Sequence, residues 1–394
     1  MSWRSTADVV IVGGGCMGAS VAYHLTKQGI TDVILLEREE ALGTGATGRN
    51  AGGVRHQFSH ESNVRLSLES IAVLERFEEE VGHPIDLFQD GYLFLLSSPA
   101  NVAKFRGNME MQRRLGVDVH WLTPDEAQER APGIDPEGVL GATFCGRDGI
   151  CDPSGVTLGF AGAARRAGAR IREGVTVTGV RTSSGRVTAV ETSHGPIETP
   201  LVVNAAGPWA ADVGRMAGVA LPIEPLRRHI FVAEPPSADG WRQDGVPTAP
   251  DSRVMVIDFE TTFYFHREGA GLLFGMGDPD EPYGYGQEVD WDVLEKVAPV
   301  AARRLPVLAD APIAHAWAGL YEMTPDAMPI LGPAGELDGF HVIGGFSGHG
   351  FQHAPAAGRV VAALVAGADP GMDLSPFAYA RFGSGALAGE GNVV

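Results

Sequence analysis

Residues 8–37 dictate a strand, a tight glycine turn, a helix, a second strand and an acid, in that order. Asp8 is followed by the apolar run Val9-Val10-Ile11-Val12, which meets Gly13-Gly14-Gly15-Cys16-Met17-Gly18 and then a helical segment over residues 19–26. A second apolar run, Val33-Ile34-Leu35-Leu36, closes on Glu37. The pattern predicts a parallel βαβ unit. Gly13 permits the turn, Gly15 lets backbone approach a pyrophosphate, and Gly18 lets the helix pack close to the strand. The helix start offers free N–H groups and the positive dipole end to phosphates. Glu37 stands nineteen residues past Gly18, placed to accept hydrogen bonds from ribose hydroxyls. Turn glycines alone are a weak signal; strand, helix, spacing and acid together point to a dinucleotide site.

The rest of the chain selects FAD. No second GxGxxG unit follows, which argues against separate flavin and nicotinamide domains. After Glu37 and Arg38 comes a loop at residues 43–55 that is too glycine-rich to pack a core. It suits an extended ligand, with Thr47, Gly48, Asn50 and Gly53 as candidate contacts. Near the far end stands Gly344-Gly345-Phe346-Ser347-Gly348-His349-Gly350-Phe351, ahead of a helical run at 354–365 with Pro355 in its first turn. Gly345, Gly348, His349, Gly350 and Phe351 there offer backbone donors to an anionic reduced flavin ring.

Length and charge bound the remaining choices. A chain of 394 residues buries a large core and usually forms two domains. A formal charge of −19 disfavours nucleic acid and anionic membranes as partners, and an anionic substrate then needs a local cation. Cys16, Cys145 and Cys151 form neither a metal pattern nor a redox CxxC, which fits a reducing cytoplasm. No apolar run is long enough to span a membrane, and the first one enters the glycine turn as a strand, unlike a signal peptide.

Periodicity places the other elements. Val64, Leu68, Ile71, Leu74, Phe77 and Val81 predict one amphipathic helix. Residues 91–96 read as a strand, and Val102, Phe105 and Met109 as a helix face. Residues 121–134 read as a short helix plus loop, 156–167 as a small-residue helix, and 292–305 as a helix. Residues 175–180, 187–192 and 201–205 read as three strands of one small sheet, two joined by a turn at Ser183-Ser184-Gly185. Residues 230–233, 254–257, 262–266 and 272–276 read as strands of an antiparallel sheet. The glycine-rich end, residues 383–394, reads as mobile.

Four motifs together resemble the D-amino-acid oxidase and sarcosine oxidase superfamily. They are the N-terminal unit, residues 46–58, Val202-Val203-Asn204-Ala205-Ala206-Gly207-Pro208-Trp209, and Gly319-Leu320-Tyr321-Glu322-Met323-Thr324-Pro325-Asp326 with residues 345–353. The chain looks closest to sarcosine oxidase β-subunits, monomeric sarcosine oxidase, glycine oxidase and the β-subunit of L-proline dehydrogenase. The resemblance implies an α/β fold with an α+β second domain: a Rossmann-like FAD-binding domain of the glutathione-reductase-2 type and an antiparallel-sheet substrate domain. The FAD domain is expected at 1–86, 147–220 and 318–382, and the substrate domain at 87–146 and 221–317. Val177 matches the valine whose backbone meets adenine, and Ala206 and Gly207 join the cofactor contacts.

The resemblance also implies the chemistry: hydride transfer from a secondary, tertiary or cyclic amino acid, such as sarcosine, dimethylglycine or proline, to flavin N5. Arg55 matches an arginine that forks the substrate carboxylate. Tyr321 matches a cavity tyrosine, and His349 a histidine beside the flavin. His56 is a further catalytic candidate; Tyr264 and His266 are candidates for the pocket wall. Three departures stand out. Gly319 replaces the cysteine that anchors flavin in monomeric sarcosine oxidase, which implies non-covalent FAD. Gln352 replaces a carboxylate-binding lysine. Leu273 replaces an oxygen-activating lysine, which argues against fast reaction with oxygen and for a dehydrogenase; the electron acceptor is left as O2 or another carrier. Two alternatives remain: an FAD-dependent 2-hydroxy-acid dehydrogenase, with His56 or His349 as base, and a flavin-carrying electron-transfer subunit of a larger complex.

Overall fold

The computed structural model describes residues 5–385, 387 and 389–393. Strands Val9–Val12 and Val33–Leu36 are buried along their whole length because both faces are covered. Val9, Ile11, Val33 and Leu35 enter one core; Val10, Val12, Ile34 and Leu36 enter another. The period-two pleat makes that division. Both strands lie inside a six-stranded sheet of order Ile330–Pro333, Phe340–Gly344, Val202–Asn204, Val9–Val12, Val33–Leu36, Arg170–Arg172. All neighbours are parallel except the first pair.

Helices Cys16–Lys27, Glu61–Leu74, Pro153–Arg166 and Gly350–Val365 cover one face. Ser20 Oγ locks two of them together by donating to the Ala354 carbonyl at 2.7 Å. Helix Ala210–Met216 and the hairpin of Val177–Ser183 with Arg186–Thr192 cover the other face. The hairpin turns at Ser184 and Gly185, both with positive φ.

Three expectations are corrected here. The segment at 201–205 does not join the hairpin. Val202–Asn204 enters the parallel sheet beside Val9–Val12, since all three residues are buried, and Ile197–Glu198 completes the small sheet. The helix expected through Val81 ends at Leu74, and a short helix, Phe77–Val81, follows. The last long helix starts at Gly350, so Pro355 falls in its second turn.

A second sheet has eight strands, in the order Ile313–Met323, Glu224–Ala233, Gly271–Gly275, Phe263–Glu268, Met255–Asp258, Tyr92–Leu96, Gly141–Cys145, Val119–Leu122. It is antiparallel except where Met255–Asp258 meets Tyr92–Leu96. One face, with Phe231, Phe263, Phe265 and Phe274, packs against helix Asp292–Arg304. The register puts Ile230, Gly275, Tyr264, Ile257 and Phe94 in line across the opposite face. No helix among the described residues is long and apolar enough to cross a membrane.

Candidate active site

A cavity of about 650 Å³ is lined by residues of both large sheets. Its nucleotide side begins at the glycine turn. Gly13 has φ +111°, and a Cβ there would lie 2.3 Å from the Ala205 carbonyl oxygen. A Cβ at Gly18 would lie 2.0 Å from the Gly13 carbonyl oxygen, so Gly18 sets helix against turn and does not itself line the cavity. Glu37 lines the cavity with both carboxylate oxygens held: one accepts from Gly14 N at 2.7 Å, the other from Glu39 N at 2.9 Å. That bracing orients the acid. Arg38 stacks on Trp209, 3.7 Å from its ring centre.

Thr47 Oγ1 accepts from Cys16 N at 3.2 Å and so ties the glycine-rich loop to the helix start. Asn50 shapes the same loop, donating to the Thr47 carbonyl at 2.5 Å and accepting from Gly52 N at 2.6 Å. Gly15, Gly53, Val177, Ala206, Gly207, Gly348, His349, Gly350 and Phe351 all line the cavity. Gly48 and Gly345 do not: Gly48 packs on the Gly43 carbonyl and Gly345 on the Thr324 methyl. The braced acid and the two helix starts, Cys16–Lys27 and Gly350–Val365, form a cradle that fits FAD.

The other side of the cavity carries Arg55, Tyr92, Arg228, Tyr264, Tyr321 and Gln352. Arg55 is buried and donates to the carbonyls of Gln57 at 2.7 Å and Asn392 at 2.6 Å. Its face rests on Phe58, 3.9 Å from the ring centre. Gln352 Oε1 accepts from Arg55 N at 2.6 Å, so it holds the backbone that presents the guanidinium. Burial pushes the phenols of Tyr92, Tyr264 and Tyr321 up, which keeps them protonated. Leu273 sits in a dry cluster with Ile230 and Val232.

The histidines divide. His349 lines the cavity and is buried; its Nε2 donates to the Ala327 carbonyl at 3.0 Å, and its Nδ1 faces His353 Nδ1 at 3.3 Å. Burial pushes its pKa down to about 4, so the ring is neutral. His56 does not line the cavity. Its Nδ1 and its backbone N both meet Asp148 Oδ1, at 2.7 and 2.8 Å, in a buried cluster. His266 does not line the cavity either; its ring lies between the carbonyls of Arg267 and Ala51.

Sequence reasoning passed over three features. Arg228 faces the cavity. Glu322 also lines it; burial pushes its carboxyl up to about 7, and its Oε2 has no hydrogen-bond partner among the described residues. The third is the chain's end. The described residues 389–393, read from sequence as mobile, pack beside Arg55. Glu390 is buried and accepts from Ser59 N, Ser59 Oγ, His60 N and Asn63 Nδ2 at 2.6–3.1 Å, and Val393 reaches the cavity.

Parallel sheet, glycine turn, braced acid and enclosed cavity define a dinucleotide-binding fold. The profile of the family described as FAD dependent oxidoreductase (DAO) matches residues 8–364, and the chain belongs to that family. It is 32% identical over 393 residues to mitochondrial sarcosine dehydrogenase of Mus musculus, covering 96% of this chain but 42% of that relative. The chain thus spans less than half the length of that protein. It is 33% identical to FAD-dependent oxidoreductase domain-containing protein 1 of Bos taurus, over 98% of this chain and 86% of the relative. The crystal structure of L-proline dehydrogenase from P. horikoshii superposes with a TM-score of 0.88 at 32% identity, covering 98% of this chain and 100% of that one.

Proposed function

We propose that this oxidoreductase oxidises the C–N bond of a secondary, tertiary or cyclic amino acid, of the sarcosine, dimethylglycine or proline kind. Arg55 carries the reading. Its acceptors, the Gln57 and Asn392 carbonyls, are neutral, and no ion pair among the described residues includes it. A buried guanidinium in a cavity gains from a carboxylate that neutralises it. The names of the relatives, a sarcosine and a proline dehydrogenase, agree with such a substrate.

Bound FAD supplies the two-electron acceptor. The chain contributes binding, orientation and dryness. Arg55 takes the carboxylate, the protonated tyrosines offer neutral hydrogen bonds, and the apolar strand residues exclude water. The amine loses a hydride from carbon, and water hydrolyses the resulting imine. An alcohol substrate needs a base for its hydroxyl proton. A neutral His349 with a pKa of about 4 is a poor one, and His56 is engaged by Asp148 away from the cavity. Anaerobic mixing tests this. Sarcosine, dimethylglycine or proline should bleach the yellow flavin while 2-hydroxy acids leave it oxidised; the reverse pattern, or no bleaching by any amine, refutes the reading. Readmitting air then shows whether oxygen is the acceptor.

A further inference from the structure

Arg227 and Arg228 are neighbours on strand Glu224–Ala233, and the pleat sends them to opposite faces. Arg227 is satisfied: it donates to Glu281 at 2.8 Å and to the Glu288 carbonyl at 3.0 Å. Arg228 instead lines the cavity, with its guanidinium 5.4 Å from the centre of the Tyr321 ring. Its Nε is buried with no hydrogen-bond partner, and its contact with the Arg227 carbonyl is long, at 3.4 Å. No ion pair among the described residues includes Arg228. Asp278, whose ionisation Arg228 favours, is hydrogen bonded to Lys296 at 2.7 Å.

A partly buried guanidinium with an orphan donor pays desolvation without return until an anion completes it. Arg55 is buried with its donors on two neutral carbonyls and no ion pair among the described residues, and Tyr321 lies in the field of both cations. Gln352, which also lines the cavity, is neutral. One carboxylate neutralises one of these groups and leaves the other. We propose that Arg55 and Arg228 form a two-cation clamp, and that the preferred substrate is an amino acid bearing a second carboxylate, on its side chain or on its nitrogen substituent. This rests on the reading above, in which Arg55 takes the first carboxylate.

The test separates binding from chemistry. Holoenzyme is titrated with methoxyacetate and with diglycolate, which carry one and two carboxylates and no amine, following the visible spectrum of the flavin. Diglycolate should bind at least tenfold more tightly. Arg228→Met should shrink that preference to about twofold, and Arg228→Lys should keep part of it. Flavin content and near-ultraviolet circular dichroism show that each variant is folded. Equal binding of the two acids, binding of neither, or an equal loss for both in Arg228→Met overturns the clamp. If the preference holds but no amine bleaches the flavin, the amine-oxidation reading falls and the two-cation site stands. If sarcosine bleaches the flavin but the preference is absent, the reverse is true.

Discussion

Arg55 Nη2 donates to the carbonyl oxygen of Asn392 at 2.6 Å, so the far end of the described chain fixes the cation that faces the cavity. Lys104 and Asn108 anchor the same segment, through the Gly391 carbonyl and the Asn392 side chain. Two distant stretches of sequence therefore share one site.

Arg55→Lys keeps the charge and loses the fork. A lysine cannot hold the Gln57 and Asn392 carbonyls and still present paired donors to a carboxylate. Losing one charge-assisted hydrogen bond costs about 1.5–3 kcal/mol, or roughly ten- to hundredfold in affinity. The expected result is a substrate dissociation constant raised by that factor in anaerobic flavin reduction, with little change in the limiting rate. An unchanged constant would remove Arg55 from substrate binding.

Glu390 makes the end of the chain pH-sensitive. Burial pushes its carboxyl up, but hydrogen bonds from Ser59 and Asn63 outweigh this and hold its pKa below the usual 4.5. A depressed folded pKa gives stability that is present above the unfolded value and lost as pH falls through the folded one. The end should stay docked at neutral pH and release in acid below that ordinary value. Glu390→Ala should release it at every pH, stranding several donors at a cost of about 2 kcal/mol. Hydrogen exchange of amides 59–63 reads this: fast exchange in the variant at pH 7 is expected, and protection equal to the parent chain contradicts it.

How much was legible follows from where the constraint lives. The βαβ unit and Glu37 could be read because each requirement is local: a turn glycine, a helix start, an acid at the next strand's end. Arg38 on Trp209 and the Glu322 carboxyl needed three dimensions, since each depends on what folds over it. Arg227 and Arg228 are the same residue type side by side, and which one faces the cavity depends on the phase of the pleat. Strand Ile313–Met323 was hidden because its alanines and glycine blur any alternation. The tail misled because its glycines signal looseness, while its stability comes from donors at Ser59 to Asn63.

Glu322 should make the flavin-free protein less stable as pH rises. Its folded pKa, about 7, is raised from an ordinary 4.5. A raised folded pKa means the protonated form is favoured on folding, so stability is full below 4.5 and declines as pH climbs through 7. The window is worth on the order of 3 kcal/mol at most. Glu322→Gln keeps the shape and removes the titration. The parent apoprotein should melt lower at pH 8 than at pH 5 by several degrees more than the variant does. Parallel melting curves for the two would place the carboxyl in contact with solvent.

Gly13→Ala should abolish flavin retention. The new Cβ meets the Ala205 carbonyl at 2.3 Å, and φ +111° strains any side chain. Backbone must move, and the helix start moves with it. Gly15→Ala is milder, because its Cβ meets a single hydroxyl, Thr47 Oγ1, at 3.0 Å. Purified Gly13→Ala is expected colourless and Gly15→Ala partly yellow, read as the ratio of visible to ultraviolet absorbance. Full flavin in Gly13→Ala would show that the turn can relax.

The flavin should be free of any thioether bond to the protein. Gly319, opposite Arg228 in the sheet register, carries no thiol, and a Cβ there would meet Arg49 Cβ at 3.0 Å. Cys16 is the cysteine that lines the cavity among the described residues, but it sits at the glycine turn and burial pushes its thiol up to about 11. A thiol that stays protonated is a poor nucleophile. Acid precipitation should therefore leave all yellow colour in the supernatant. Gly319→Cys should behave the same way, because the Cβ and backbone carbonyl of Arg49 crowd the new side chain. Colour in the pellet of the parent protein would mean that another side chain bonds the ring.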